Sequence, residues 1–115
     1  MIKIMRFNTA LLHSAAPGDK ATLTPIYQSS AFYQESALQH EKLFANKAPG
    51  FSYTRIGNPT IAAFEDRMTV LEGGMASIAC ASGMAAVSCA LLNITQAGDE
   101  IVVSTGLYGG TIDLF

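Results

Sequence analysis

Charge is what this sequence has least of. Charged residues fill 14% of the 115 positions and hydrophobic residues 50%, where a typical soluble domain carries roughly 25% charged. A small domain standing alone needs more polar surface than that. The composition therefore points to a chain that covers itself against something else, or to part of a larger domain. Seven Lys and Arg against nine Asp and Glu leave a net charge of -2, with no basic block or stripe. Neither a nucleic acid nor an anionic membrane is expected as a partner. No apolar run approaches the roughly 18 residues of a spanning helix. Lys3 and Arg6 precede a stretch that polar Asn8 and Thr9 interrupt, which is too weak for a signal peptide. Cys80 and Cys89 do not form a CxxC pair, and His13 and His40 stand alone, so no metal site is expected. Both cysteines read as buried small hydrophobes, in a reducing cytoplasm. The GxGxxG and GxxxxGK[ST] patterns are missing, which removes the two strongest nucleotide loops.

What is present divides into an irregular half and a regular half. Pro17, Gly18 and Asp19 mark a turn, and Pro25 begins an extended stretch. A short helix is expected over Ser36–Ala45, starting at Gln34 to Ser36 and stopped by Asn46 to Gly50. The apolar load of Ile26, Tyr27, Phe32, Tyr33, Phe44 and Phe51 is too great for a linker, so this arm is expected to drape over another surface. Asn58 then offers an N-cap and Pro59 the first helical position. Ile61, Phe64, Met68 and Leu71 recur at helical steps, and Gly73 and Gly74 end the helix. Met75–Ala81 is expected as a strand, Met84–Ile94 as a largely buried helix, and Glu100–Ser104 as a strand with Ile101, Val102 and Val103 contiguous. Strand, helix, strand is the crossover unit of an α/β protein. Two parallel strands do not cover both of their faces, so the regular half reads as the beginning of a larger domain.

Four places carry possible chemistry. Ser82 and Gly83 stand where a strand is expected to give way to a helix. The N–H groups of Gly83 and Met84, with the Ser82 hydroxyl, suit a phosphate, and an ordinary strand-to-helix turn would look the same. Arg55 offers a fork for a phosphate or carboxylate and Tyr53 a hydroxyl. Taken by themselves, those two residues are better read as a surface arginine beside a half-buried tyrosine. Tyr108 lies in a glycine-rich turn after the second expected strand, where ligands of α/β sheets collect. Its ring suits a flat cofactor or plain packing.

These residues resemble a known family. Tyr53–Thr60, YTRIGNPT, followed by Glu65 and by Leu71, Glu72, Gly73 and Gly74, looks like the amino-terminal signature of the Cys/Met metabolism enzymes that use pyridoxal phosphate. Ala81–Ala85, ASGMA, resembles their phosphate loop. Gly98 and Asp99, then Tyr108, Gly109, Gly110 and Thr111, resemble their next landmarks, and Leu23–Phe32, LTPIYQSSAF, fits their arm. The likeness runs from about Phe7 to Phe115. Within the family it is strongest for the branch that replaces the acetyl group of O-acetylhomoserine with sulfide. The methionine-lyase and cystathionine branches are the alternatives, and so is a non-catalytic module that binds a full-length relative.

The resemblance implies an α/β fold: the incomplete amino-terminal part of the large domain of a fold type I pyridoxal-phosphate enzyme, with residues 1–57 as an extended arm and 58–115 as the start of the cofactor domain. It implies that Gly83 and Met84, with Ser82, hold the cofactor phosphate. Tyr53 and Arg55 would reach the phosphate of the neighbouring subunit's cofactor, and Tyr108 would stack on its ring and assist catalysis. The assembly implied is a dimer of dimers in the cytoplasm, acting on an amino acid such as O-acetylhomoserine together with sulfide. The family's Schiff-base lysine has no counterpart here, since Lys3, Lys20, Lys42 and Lys47 all precede the regular half. These residues alone are therefore expected to be inactive.

Overall fold

The computed structural model describes residues 6–14 and 21–115. The expected turn at Pro17, Gly18 and Asp19 lies outside the described residues. The chain divides into two compact units, Met1–Ile78 and Ala79–Phe115.

The first unit holds three helices: α1 (Phe7–His13), α2 (Ala37–Phe44) and α3 (Pro59–Glu72). The start of α3 follows from its first two residues. Asn58 is extended, and its side-chain oxygen accepts from the Thr60 N–H at 2.8 Å. Pro59 fills the first helical position, where its missing N–H costs nothing. The helix ends because Gly73 turns into the left-handed region at φ 62, and the Gly74 N–H bonds back to the Thr69 carbonyl. Ser36 starts α2 by accepting from the Gln39 N–H, and the chain leaves that helix through Asn46 at φ 53. α1 was not expected, and it packs against α3. A seven-residue helix is too short to hold itself in water, so its cause is that contact rather than its own pattern.

The stretch before α2 is not a loose arm within this unit. An antiparallel bridge joins Ala31 to Tyr53. The Phe32 N–H donates to the Ser52 carbonyl at 3.0 Å, and the Thr54 N–H to the Ser30 carbonyl at 2.9 Å. Gln34 donates to the Phe51 carbonyl, and the Phe32 and Phe51 rings lie 5.9 Å apart.

The second unit holds α4 (Gly83–Ile94) and α5 (Gly109–Leu114), which touch each other. Ser82 caps α4 by accepting from the Ala85 N–H at 3.1 Å. Thr95 leaves the helix in an extended conformation. A turn closed by the Gln96 N–H on the Asp99 carboxylate, with Gly98 at φ 102, follows.

Three expectations need correction. Neither Met75–Ala81 nor Glu100–Ser104 forms a strand, and among the described residues no strand is found. A strand exists only through its ladder, and an apolar run encodes the wish for burial without the neighbour that would satisfy it. Second, α4 has no buried residue: Leu92 is 79% and Ile94 76% exposed. Its composition is that of a buried helix, but the described residues do not supply its cover. Third, Cys80 and Cys89 are both exposed. Burial is slight throughout. Among the described residues only Ala10, Ala63, Asn58 and Thr111 are buried, and the buried position of α3 is Ala63 rather than its stripe of Ile61 and Phe64.

Candidate functional site

In the second unit, the start of α4 is a short run of backbone donors. Ser82 is extended, and its hydroxyl is already used to cap Ala85. That leaves the cap as a positioning element and puts the N–H groups of Gly83 and Met84 ahead of the first helical bond. A side-chain carbon built on Gly83 would find no atom within 4 Å. The approach to these donors is therefore open, and the helix field at that end favours an anion. The residues fit a phosphate group: two backbone donors, no side chain in the way, and a cap that fixes their direction.

Tyr108 is brought to the same end of the unit by a contact that the sequence does not display. Thr111, buried, directs its hydroxyl to the Met84 sulfur at 3.8 Å. α5 therefore begins beside the start of α4. Tyr108 sits one residue ahead of α5 and is 74% exposed as a residue. Gly110 is the second feature that sequence reading missed. A side-chain carbon there would lie 2.7 Å from the Tyr108 ring, well inside van der Waals contact. The ring occupies the space that glycine leaves. Gly110→Ala is expected to turn the Tyr108 ring out of this position while α5 remains, because a side chain yields more easily than a backbone. Loss of the ring's nuclear Overhauser contacts to residue 110, with unchanged α5 amide shifts, is the measurement that checks it.

Tyr53 and Arg55 belong to the first unit. The turn that carries them is tight: both the Ile56 and Gly57 N–H groups donate to the Tyr53 carbonyl. Thr54, between them, faces inward. Its hydroxyl donates to the Ser29 carbonyl and accepts from the Asn58 amide. Tyr53 and Arg55 consequently face outward, and both are exposed. The Arg55 guanidinium lies 5.4 Å from the centre of the Tyr53 ring, a cation–π distance. The ring and the fork thus form one pair beside a hollow of about 410 Å³ that also touches Phe32, His40 and Phe44. His40 is stacked on Phe44 at 4.9 Å, which explains it without a ligand.

The structure thus joins Ser82, Gly83, Met84 and Tyr108 in one unit, and Tyr53 with Arg55 in the other. Among the described residues, no cluster of three or more His, Cys, Asp and Glu is placed to hold a metal. Among them, no helix is long and apolar enough to cross a membrane.

The second unit thus offers backbone donors at the start of α4, and Tyr108 leads into the helix that touches α4. Comparison with known proteins supplies the class. Residues 8–115 match the Cys/Met metabolism PLP-dependent enzyme family, and the chain belongs to that family. It is 45% identical over 112 residues to the O-acetyl-L-homoserine sulfhydrylase of Corynebacterium glutamicum, covering 95% of this chain and 26% of that one. It is 46% identical over 90 residues to an L-methionine gamma-lyase of Fusobacterium nucleatum subsp. nucleatum, covering 78% of this chain and 23% of that one. A crystal structure of a putative O-acetylhomoserine (thiol)-lyase from Campylobacter jejuni superposes with a TM-score of 0.84 at 37% identity, over 96% of this chain and 28% of that one. That structure carries N'-pyridoxyl-lysine-5'-monophosphate at position 205 of its own chain. The chain spans about a quarter of the length of the curated relatives it matches. Its fold belongs with the fold type I pyridoxal-phosphate enzymes.

Proposed function

We propose that this chain supplies the phosphate end of a pyridoxal-phosphate site in an enzyme of the O-acetylhomoserine sulfhydrylase kind. The observation that carries the reading is the open start of α4 at Gly83 and Met84, to which the Thr111–Met84 contact ties α5, the helix that Tyr108 precedes. Pyridoxal phosphate, when bound, acts as an electron sink for carbanion chemistry at the amino acid. The chain's own residues bind and orient. Gly83 and Met84 hold the phosphate through their N–H groups, with Ser82 fixing the direction of the loop. Tyr108 would stack on the cofactor ring and would assist proton transfer near the leaving group. Tyr53 and Arg55 reach the phosphate held by a neighbouring copy, Arg55 by its charged fork and Tyr53 by its hydroxyl.

In the overall reaction, the bond from the γ carbon to the acetyl oxygen breaks and acetate leaves. A bond from that carbon to sulfur forms, giving homocysteine. The working assembly is a homo-oligomer, a dimer of dimers in the cytoplasm. Residues 1–57 reach onto a partner subunit, and 58–115 open the cofactor domain. The likeness to the Fusobacterium lyase supports a second reading, elimination from methionine at the same site.

The two readings separate in a chimera in which residues 8–115 replace the matching stretch of the Corynebacterium glutamicum relative. The expected result is homocysteine from O-acetylhomoserine and sulfide, with a higher kcat/KM than methionine breakdown. The reverse order would favour the lyase reading, and failure to bind the cofactor would contradict both.

A further inference from the structure

We infer that Asn58 is a positioning residue, which sets the outward placement of Tyr53 and Arg55 as well as starting α3. The inference rests on the phosphate reading above for its purpose, but not for its geometry. Asn58 is 3% exposed, and each end of its side-chain amide has a separate task. The oxygen caps α3 on the Thr60 N–H. The nitrogen spends its two hydrogens elsewhere, on the Tyr27 carbonyl at 3.0 Å and the Thr54 hydroxyl at 3.1 Å. An amide nitrogen has two donors and no more, so both are used.

The two donations fasten different segments. One reaches 31 residues back to Tyr27, and the other reaches four residues back into the turn between Tyr53 and Arg55. Thr60 strengthens the first link by accepting from the Tyr27 N–H at 2.8 Å and donating to the Pro25 carbonyl. Thr54 strengthens the second by donating onward to the Ser29 carbonyl. Asn58 therefore closes a ring of hydrogen bonds from arm to turn to helix. With Thr54 drawn inward, its neighbours face outward, which is where the cation–π pair of Tyr53 and Arg55 is found.

A capping residue alone needs only an acceptor, and serine supplies one about as well as asparagine. Serine has no nitrogen to reach Tyr27 and Thr54. Asn58→Ser consequently separates the two tasks. Amide hydrogen exchange on the full 115-residue chain is the experiment, with Arg55 side-chain proton shifts recorded alongside. In Asn58→Ser, the Phe32 and Thr54 amides are expected to exchange on the order of tenfold faster, while the Ala62 and Ala63 amides of α3 keep their rates. The ring-current shift of the Arg55 protons over Tyr53 is expected to collapse. Thr54→Val removes the inward link without touching the cap and is expected to have the same effect.

Unchanged Phe32 and Thr54 rates in both variants would overturn the inference. So would equal acceleration of the α3 amides in Asn58→Ser, which would make the residue a cap only. Unprotected Phe32 and Thr54 amides in the unaltered chain would overturn it as well. None of these readouts involves the cofactor. A failure of the phosphate reading would show instead as an Arg55→Ala chimera that keeps its cofactor affinity while the exchange pattern stands.

Discussion

The 115-residue chain by itself, given pyridoxal phosphate, O-acetylhomoserine and sulfide, is expected to form homocysteine no faster than the free cofactor does in solution. Enzymes of this chemistry hold the cofactor covalently on a lysine amine, which also gives the site its base. Here the last lysine is Lys47, which precedes α3, and no lysine lies in the unit that carries the Gly83 cradle. In the Campylobacter structure the pyridoxyl-lysine stands at position 205, in a chain of which this one covers 28%. On the proposed reading the open cradle is only one wall of a site, and rate acceleration depends on a closed, preorganised surround. A coupled assay for homocysteine with the purified chain checks this. Turnover above the free-cofactor rate would mean that another residue of this chain serves as the amine.

Removal of Arg55 carries the second large effect. In the chimera with the Corynebacterium relative, Arg55→Ala is expected to weaken cofactor phosphate binding about 10- to 100-fold, the range of one charge-assisted hydrogen bond to a phosphate. Arg55→Lys is expected to fall between, since lysine keeps the charge but loses the planar fork. Asn58 and the Tyr53 bridge lie on the protein side of the turn, so the fold should be indifferent to either change. Equilibrium dialysis of pyridoxal phosphate against the cofactor-free chimera, with no amino-acid substrate present, measures the affinity without turnover. A change of less than twofold for Arg55→Ala would remove Arg55 from the site.

Local signals in this sequence were legible where one residue decides the outcome. Asn58 and Pro59 start α3, Gly73 ends it, and Ser82 precedes α4 as the loop reading requires. Each is a steric or hydrogen-bonding preference that acts over three or four residues. Features that depend on distant partners were not legible. α1 owes its existence to α3, and nothing in Phe7–His13 names that partner. The two apolar runs were legible as surface that seeks burial, but not as strands, because a ladder belongs to two segments and not to one. The burial of α4 failed for the same reason.

The site divides similarly. Glycine and serine at a helix start, an arginine beside a tyrosine, and a tyrosine in a glycine turn were visible as residue types. Their supports were not. The two-handed use of Asn58 spans 31 residues. The Thr111 contact to Met84 spans 27. The place of Gly110 under the Tyr108 ring depends on a side-chain rotamer that no spacing rule contains.

Sharing of the site between copies is the most exposed part of this account, and one mixing experiment reaches it directly. Two chimeras are needed, one with Arg55→Ala and one with Gly83→Val. The position has room for a Cβ, with nothing within 4 Å beyond its own helix backbone and neighbours, and the branched valine is expected to crowd the approach to the cradle. Each variant alone is expected to hold the cofactor poorly. Co-expressed in one cell, they should form mixed pairs in which one site carries both defects and the other carries neither, so cofactor binding should recover above that of either variant alone. Binding in the co-expressed pool no better than the average of the two variants would contradict the account, because Arg55 and Gly83 would then serve the same site from the same chain or serve no common site.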